Sequence, residues 1–149
     1  MNRLKRILVG SILFSLFLGL PVHPRSFARD DGTAVYDLMT DDLTDPVGID
    51  NPSPVFRWKL RSSVPGQKQT AYQVIVKKGD AILWDSGKVE SDSSVGIVYG
   101  GDSLCSSTVY TWSVTVWDKD GKPLTSPEAS FETALLEADA FAEIGRAHV

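Results

Sequence analysis

Thr108-Val-Tyr-Thr-Trp-Ser-Val-Thr-Val-Trp-Asp118 decides the fold of this chain. Tyr110, Trp112, Val114 and Val116 share one face of the run, while Thr111, Ser113 and Thr115 share the other. Successive side chains of a strand point to opposite faces, so this pattern places one side in a core and one in water. Asp120-Gly121 follows as a turn dipeptide that hairpins favour, and Ala129 to Thr133 supplies a closing strand.

The same grammar extends upstream. Phe56, Trp58 and Leu60 alternate with Arg57 and Lys59, and the loop Ser62-Ser-Val-Pro-Gly66 ends that run. Tyr72, Val74 and Val76 alternate with Gln73, Ile75 and Lys77. Lys78-Gly-Asp80 then makes a tight turn into Ala81-Ile-Leu-Trp84, which predicts a hairpin. Val95 to Tyr99 reads as another strand, bounded by Gly100-Gly-Asp-Ser103. Leu43 to Pro54 holds three prolines and a glycine, which forbid a helix and disfavour a central strand, so it reads as an extended lead-in. Ala34 to Met39 offers a first edge strand within a polar leader over 29–42. About seven strands result, with no convincing helix before Leu135. The prediction is an all-β, immunoglobulin- or fibronectin type III-like sandwich over 43–136. Leu104 and Tyr110, placed around Thr108, resemble the leucine and tyrosine of a fibronectin type III tyrosine corner. That is a statement about fold, because the architecture hosts many functions.

Length and composition fit one domain and a targeting segment: 149 residues, 42% hydrophobic and 23% charged. The net charge of -4 leaves no basic footprint for nucleic acid or an anionic membrane surface. Arg3, Lys5 and Arg6 precede an apolar run from Ile7 to Leu20, and Ser26-Phe-Ala28 suits a signal-peptidase site, so 1–28 is expected to be a signal peptide cleaved after Ala28. The apolar run is shorter than the roughly 20 residues that span a hydrocarbon core. The exported product is then periplasmic or extracellular. Its single cysteine, Cys105, forms no internal disulfide, so the core alone holds the domain. Cys105 is expected partly buried near a loop, and the mature chain offers it only His148 as a base.

Glycosidic cleavage needs two carboxylates across a cleft. Asp85, Glu90, Asp92, Asp118 and Asp120 are available, yet each fits a turn, a connection or a strand end better. Asp118-Lys-Asp120-Gly121 starts like a calcium loop, but Pro123 interrupts it and the acidic residue completing an EF-hand is missing. With His23 in the signal and His148 in the tail, no histidine metal site or triad can be built. No catalytic residue, metal ligand or cofactor is therefore assigned. Trp58 and Trp112 fall on core faces. Trp117 falls off the core face and Trp84 stands beside a turn, so these two are expected at the surface, as contacts with a neighbouring domain or with sugar.

Several pieces in register resemble the N-terminal β-domain of bacterial α-L-rhamnosidases, glycoside hydrolase family 78. They are the extended Asn51-Pro-Ser-Pro-Val-Phe-Arg-Trp-Lys-Leu60, the strand Gln69-Thr-Ala-Tyr-Gln73 and the turn Trp84-Asp-Ser-Gly-Lys-Val89. Tyr99-Gly100 with Leu104, Tyr110 with Trp112, and Phe131-Glu-Thr133 follow. The match runs from about Leu43 to Leu136. The resemblance implies a longer chain with several β-domains and an (α/α)6 barrel, whose glutamate and aspartate residues hydrolyse terminal α-L-rhamnose with inversion. None of those carboxylates maps onto this sequence, so this part is implied to cap or pack against the catalytic assembly and to be inactive alone. Its implied partners are the C-terminal β-domains and barrel of the same polypeptide and, through them, a rhamnose-containing glycan.

The expectation for 137–149 is a truncated linker. A back-translation of Ile144-Gly-Arg-Ala-His-Val149 resembles a common sequencing-library adapter, so 143–149 is expected to be an artefact and the gene to continue. Two other readings stand beside the leading one. A freestanding carbohydrate-binding or adhesion module needs an exposed aromatic patch including Trp84 or Trp117, and a fibronectin-like spacer needs a different downstream domain.

Overall fold

The computed structural model describes residues 31–136, so the expected signal peptide (1–28) and the tail (137–149), including both histidines, lie outside the described residues. Among the described residues, nine strands run in chain order: β1 (Ala34–Thr40), β2 (Val47–Ile49), β3 (Val55–Arg61), β4 (Gln69–Lys78), β5 (Ala81–Asp85), β6 (Ile97–Val98), β7 (Val109–Asp118), β8 (Pro123–Thr125) and β9 (Ala129–Thr133). They form two sheets, β1-β3-β6 and β2-β9-β7-β4-β5, with β8 also paired to β7. This is the all-β sandwich that the alternation predicts.

β7 is the spine. Along one side it pairs antiparallel with β4, from Lys77 opposite Thr111 to Gln69 opposite Asp118. Its other side is shared: β9 takes Val109 to Trp112, and β8 takes Thr115 to Trp117. The chain passes between these partners at Ser126, whose N–H donates to the Val114 carbonyl at 2.8 Å. The Ser126 hydroxyl accepts the Val114 N–H at 3.0 Å, so a side chain fills the gap left in the ladder.

Trp58, Trp112, Tyr110, Phe56 and Phe131 are the largest fully buried side chains, with Val74, Val76, Val114 and Val116 between them. Phe56 lies 4.5 Å, centroid to centroid, from Trp112, and Tyr110 stacks on Phe131 at 5.2 Å. Burying such side chains contributes about 1.5–3 kcal/mol each. The core polar groups are matched: the Trp58 indole donates to Gln69 Oε1 at 2.9 Å, and the Trp112 indole donates to Thr40 Oγ1 at 3.1 Å. Gln69 in turn donates to the carbonyls of Ser91 and Ser93.

The structure departs from the sequence reading at its N-terminal side. β1 is the edge strand expected over Ala34 to Met39, but it puts Val35 and Leu38 in the core, so the described sandwich begins at about Ala34 rather than Leu43. A bulge between Tyr36 and Met39 makes this work: Asp37 takes a φ of 53°, and Leu38 turns inward. The proline-rich lead-in also contains a strand, β2, which runs parallel to β9. It is joined to β1 through Thr40 and Leu43, which exchange hydrogen bonds of 2.9 and 3.0 Å around Asp41 and Asp42. Both aspartates have positive φ, the geometry of a type I′ turn, which short polar residues tolerate. The expected strand Val95–Tyr99 contracts to Ile97–Val98.

Candidate functional site

Each carboxylate considered for chemistry is engaged in local structure or stands apart on the surface. Asp85 Oδ1 accepts the Gly87 N–H at 2.8 Å and the Gln73 side-chain amide at 2.7 Å. Glu90 pairs with Lys88 at 2.9 Å, and Asp92 is exposed. Asp118, 2% exposed, turns the β7–β8 hairpin, its Oδ1 accepting the N–H groups of Asp120 and Lys122 at 2.9 Å each. The calcium-like spacing therefore belongs to a hairpin turn, in which Gly121 has a φ of 72°. Among the described residues, no three His, Cys, Asp or Glu side chains converge on a metal-sized point.

The Trp84-Asp-Ser-Gly-Lys-Val89 stretch has a structural use. β5 leaves β4 after Asp85, and the Ser86 hydroxyl accepts the Val74 N–H at 2.9 Å while the Ser86 N–H donates to the Val74 carbonyl. Gly87, at a φ of 63°, redirects the chain, and Val89 rejoins Tyr72 through hydrogen bonds of 2.8 and 2.9 Å. Serine thus substitutes for strand backbone here as it does at Ser126.

Both tryptophans expected at the surface are half-buried, and each has a neighbour over part of its ring. Trp84 is half-buried and packs on the core, edge-on to Tyr99 at 5.3 Å and stacked towards Phe56 at 6.3 Å. Gly100 passes close enough to its indole that an added β-carbon would touch the ring at 3.5 Å. Trp117 lies on the outer face opposite Ala71, and Lys88 Nζ sits 5.0 Å above its ring. Tyr36, an exposed aromatic of β1, carries the Arg61 guanidinium at 5.4 Å. A cation therefore stands over one face of each of these two rings.

Cys105 is exposed rather than partly buried, because the loop after Leu104 turns it outward. Lys78 Nζ lies 3.4 Å from its sulfur. The tyrosine corner forms as expected: Leu104 is buried, and the Tyr110 hydroxyl accepts the Cys105 N–H at 2.8 Å. Burial raises the Tyr110 phenol above its usual range. The Tyr99 phenol is pushed up to about 12, chiefly by burial, and donates to the Asp102 carbonyl at 2.8 Å.

One surface feature escaped the sequence reading. A groove of about 590 Å³ opens between the Asp50–Ser53 segment and the Gly101–Leu104 loop, bordered by Leu135 and Leu136. Leu136 is buried and donates to Ser106 Oγ at 2.9 Å, whereas Leu135 is 68% exposed. The signal was available as two adjacent leucines one residue after the last described strand.

Comparison with known proteins converges on one source. A family model described as "Rha78A-like, N-terminal immunoglobulin domain" matches residues 35–137. An α-L-rhamnosidase of Streptomyces avermitilis is 44% identical over 99 residues, which cover 62% of this chain and 10% of that protein. An α-L-rhamnosidase of Formosa agariphila is 32% identical over 108 residues, covering 67% of this chain and 11% of that protein. Among solved structures, the Streptomyces avermitilis α-L-rhamnosidase complexed with L-rhamnose superposes with a TM-score of 0.67 at 38% identity, over 72% of this chain and 11% of that one. The α-L-rhamnosidase from Dictyoglumus thermophilum gives 0.65 at 39% identity, over 71% of this chain and 13% of that one. This chain thus spans about a tenth of the length of the relatives it matches.

Proposed function

Since this chain belongs to the family of Rha78A-like N-terminal immunoglobulin domains, we propose that it is the accessory first β-sandwich of an exported α-L-rhamnosidase. In this reading the longer enzyme hydrolyses terminal α-L-rhamnose from glycosides or polysaccharides. The cleavage is performed by polypeptide beyond this chain, and the sandwich supports that assembly and helps shape access to it.

The observation that carries the reading is the match over residues 35–137 to a domain that forms only about a tenth of its relatives. The site geometry agrees with a non-catalytic role. Asp85 and Asp118 spend their carboxylates on backbone N–H groups, an arrangement that holds turns rather than moving protons. Export rests on the sequence alone, on the charged start, the apolar run and Ser26-Phe-Ala28.

Sequencing genomic DNA through the codons for Phe131 to Val149 and beyond tests the reading. An open frame continuing past Ala142 into a long chain with a catalytic barrel supports it. A stop codon directly after Val149 removes it and favours a small exported binding module.

A further inference from the structure

We propose that the groove between Asp50–Ser53 and Gly101–Leu104 is the seat of the domain that follows this one in the same polypeptide, and that it receives an apolar side chain flanked by Lys or Arg. The inference rests on the accessory-domain reading above and assigns that reading a surface.

Three observations select this groove. The first is continuity: Leu135 and Leu136 line it, so polypeptide leaving the sandwich starts at its border. The exit is fixed there, because Ala134 donates to the Ile49 carbonyl at 2.7 Å and Leu136 to Ser106 Oγ at 2.9 Å. A domain attached at that point has its highest effective concentration against the nearest surface. The second is chemistry: Pro52 and the exposed Leu135 supply apolar surface over the buried Tyr99 and Leu104, and among the described residues the charges in the lining are those of Asp50 and Asp102. An apolar socket with a carboxylate rim matches an apolar anchor beside a cation. The third is rigidity. The loop wall is braced by the Tyr99 bond to the Asp102 carbonyl on one side and by the tyrosine corner on the other, so docking orders little that is loose.

The other exposed apolar groups fit less well. Val47 and Val109 are 78% and 56% exposed, but both lie opposite Glu132, which breaks the patch with a charge. Ile82, Val95 and Val98 are exposed near the β5 and β6 edges, and none of them lines the groove that Leu135 and Leu136 border.

Hydrogen exchange on the full-length gene product, compared with the 149-residue chain, tests the proposal. The amides of Gly101 to Leu104 are expected to exchange about 10-fold or more slowly in the longer product. Leu135→Asp combined with Asp102→Lys is expected to erase that difference while leaving β7 exchange in the 149-residue chain unchanged. Equal exchange in the two proteins overturns the proposal, as does protection that the double variant does not remove or that falls on Thr111, Ser113 and Thr115 instead. Rhamnosidase assay of the same product separates the two claims. An active product without groove protection defeats the docking surface alone, and an inactive product with variant-sensitive protection defeats the enzyme reading alone.

Discussion

The backbone N–H of Cys105 donates to the phenol oxygen of Tyr110 across 2.8 Å, tying the loop that precedes β7 to the strand itself. Tyr110 is fully buried, and the neighbouring Thr133 hydroxyl donates to the Cys105 carbonyl at 2.6 Å, so both backbone groups of Cys105 are satisfied from side chains. Tyr110→Phe leaves the ring packing on Phe131 but orphans the Cys105 N–H. A loss of about 1–3 kcal/mol is expected in urea unfolding, with the m-value unchanged.

Gly101 has no room for a side chain, since a β-carbon there would approach Trp84 Cβ to 2.7 Å. Gly100, one residue earlier, would meet the Trp84 ring at an ordinary 3.5 Å. Gly101→Ala is therefore expected to cost about 1–3 kcal/mol through displacement of Trp84 and Tyr99, and Gly100→Ala much less. Thermal unfolding of the two variants side by side checks the contrast.

Gln69 links two sheets and a loop by accepting from the Trp58 indole and donating to the carbonyls of Ser91 and Ser93. Replacing it with Leu leaves a buried indole N–H and two carbonyls without that partner. The expected loss of about 2–4 kcal/mol exceeds that of a surface glutamine change such as Gln73→Leu. Chemical denaturation monitored by tryptophan fluorescence reads the difference.

The pH dependence follows from Tyr99, whose folded pKa is raised from 10.0 to about 12, first by burial. A raised folded pKa means that the unfolded chain loses its proton first. The stabilisation is then fully present below about pH 10 and is lost as pH rises through about 12. Unfolding free energies measured across that window should fall in the wild type and fall less in Tyr99→Phe.

Much of the fold could be read from periodicity, because β7, β4 and β3 each bury one face and alternation records it directly. The turns at Gly79-Asp80 and Asp120-Gly121 were readable for the same local reason, their residue chemistry. β2 was not, because its pairing with β9 is parallel and distant in sequence, and prolines obscure it. β1 was readable as an edge strand, but the bulge at Asp37 breaks its alternation and hides the inward turn of Leu38. Of the candidate site, alternation placed Trp117 off the core correctly. It had no means of showing that Lys88 covers Trp117 or that Gly100 and Gly101 close over Trp84, since those contacts join separate segments.

The central claim, an accessory domain whose enzyme is an α-L-rhamnosidase, is tested most directly by purifying the full-length gene product and the 149-residue chain and assaying both on an aryl α-L-rhamnoside. The account predicts hydrolysis by the full-length product and none by the chain alone. Hydrolysis by the chain itself, or none by a folded full-length product on any rhamnoside, would contradict it.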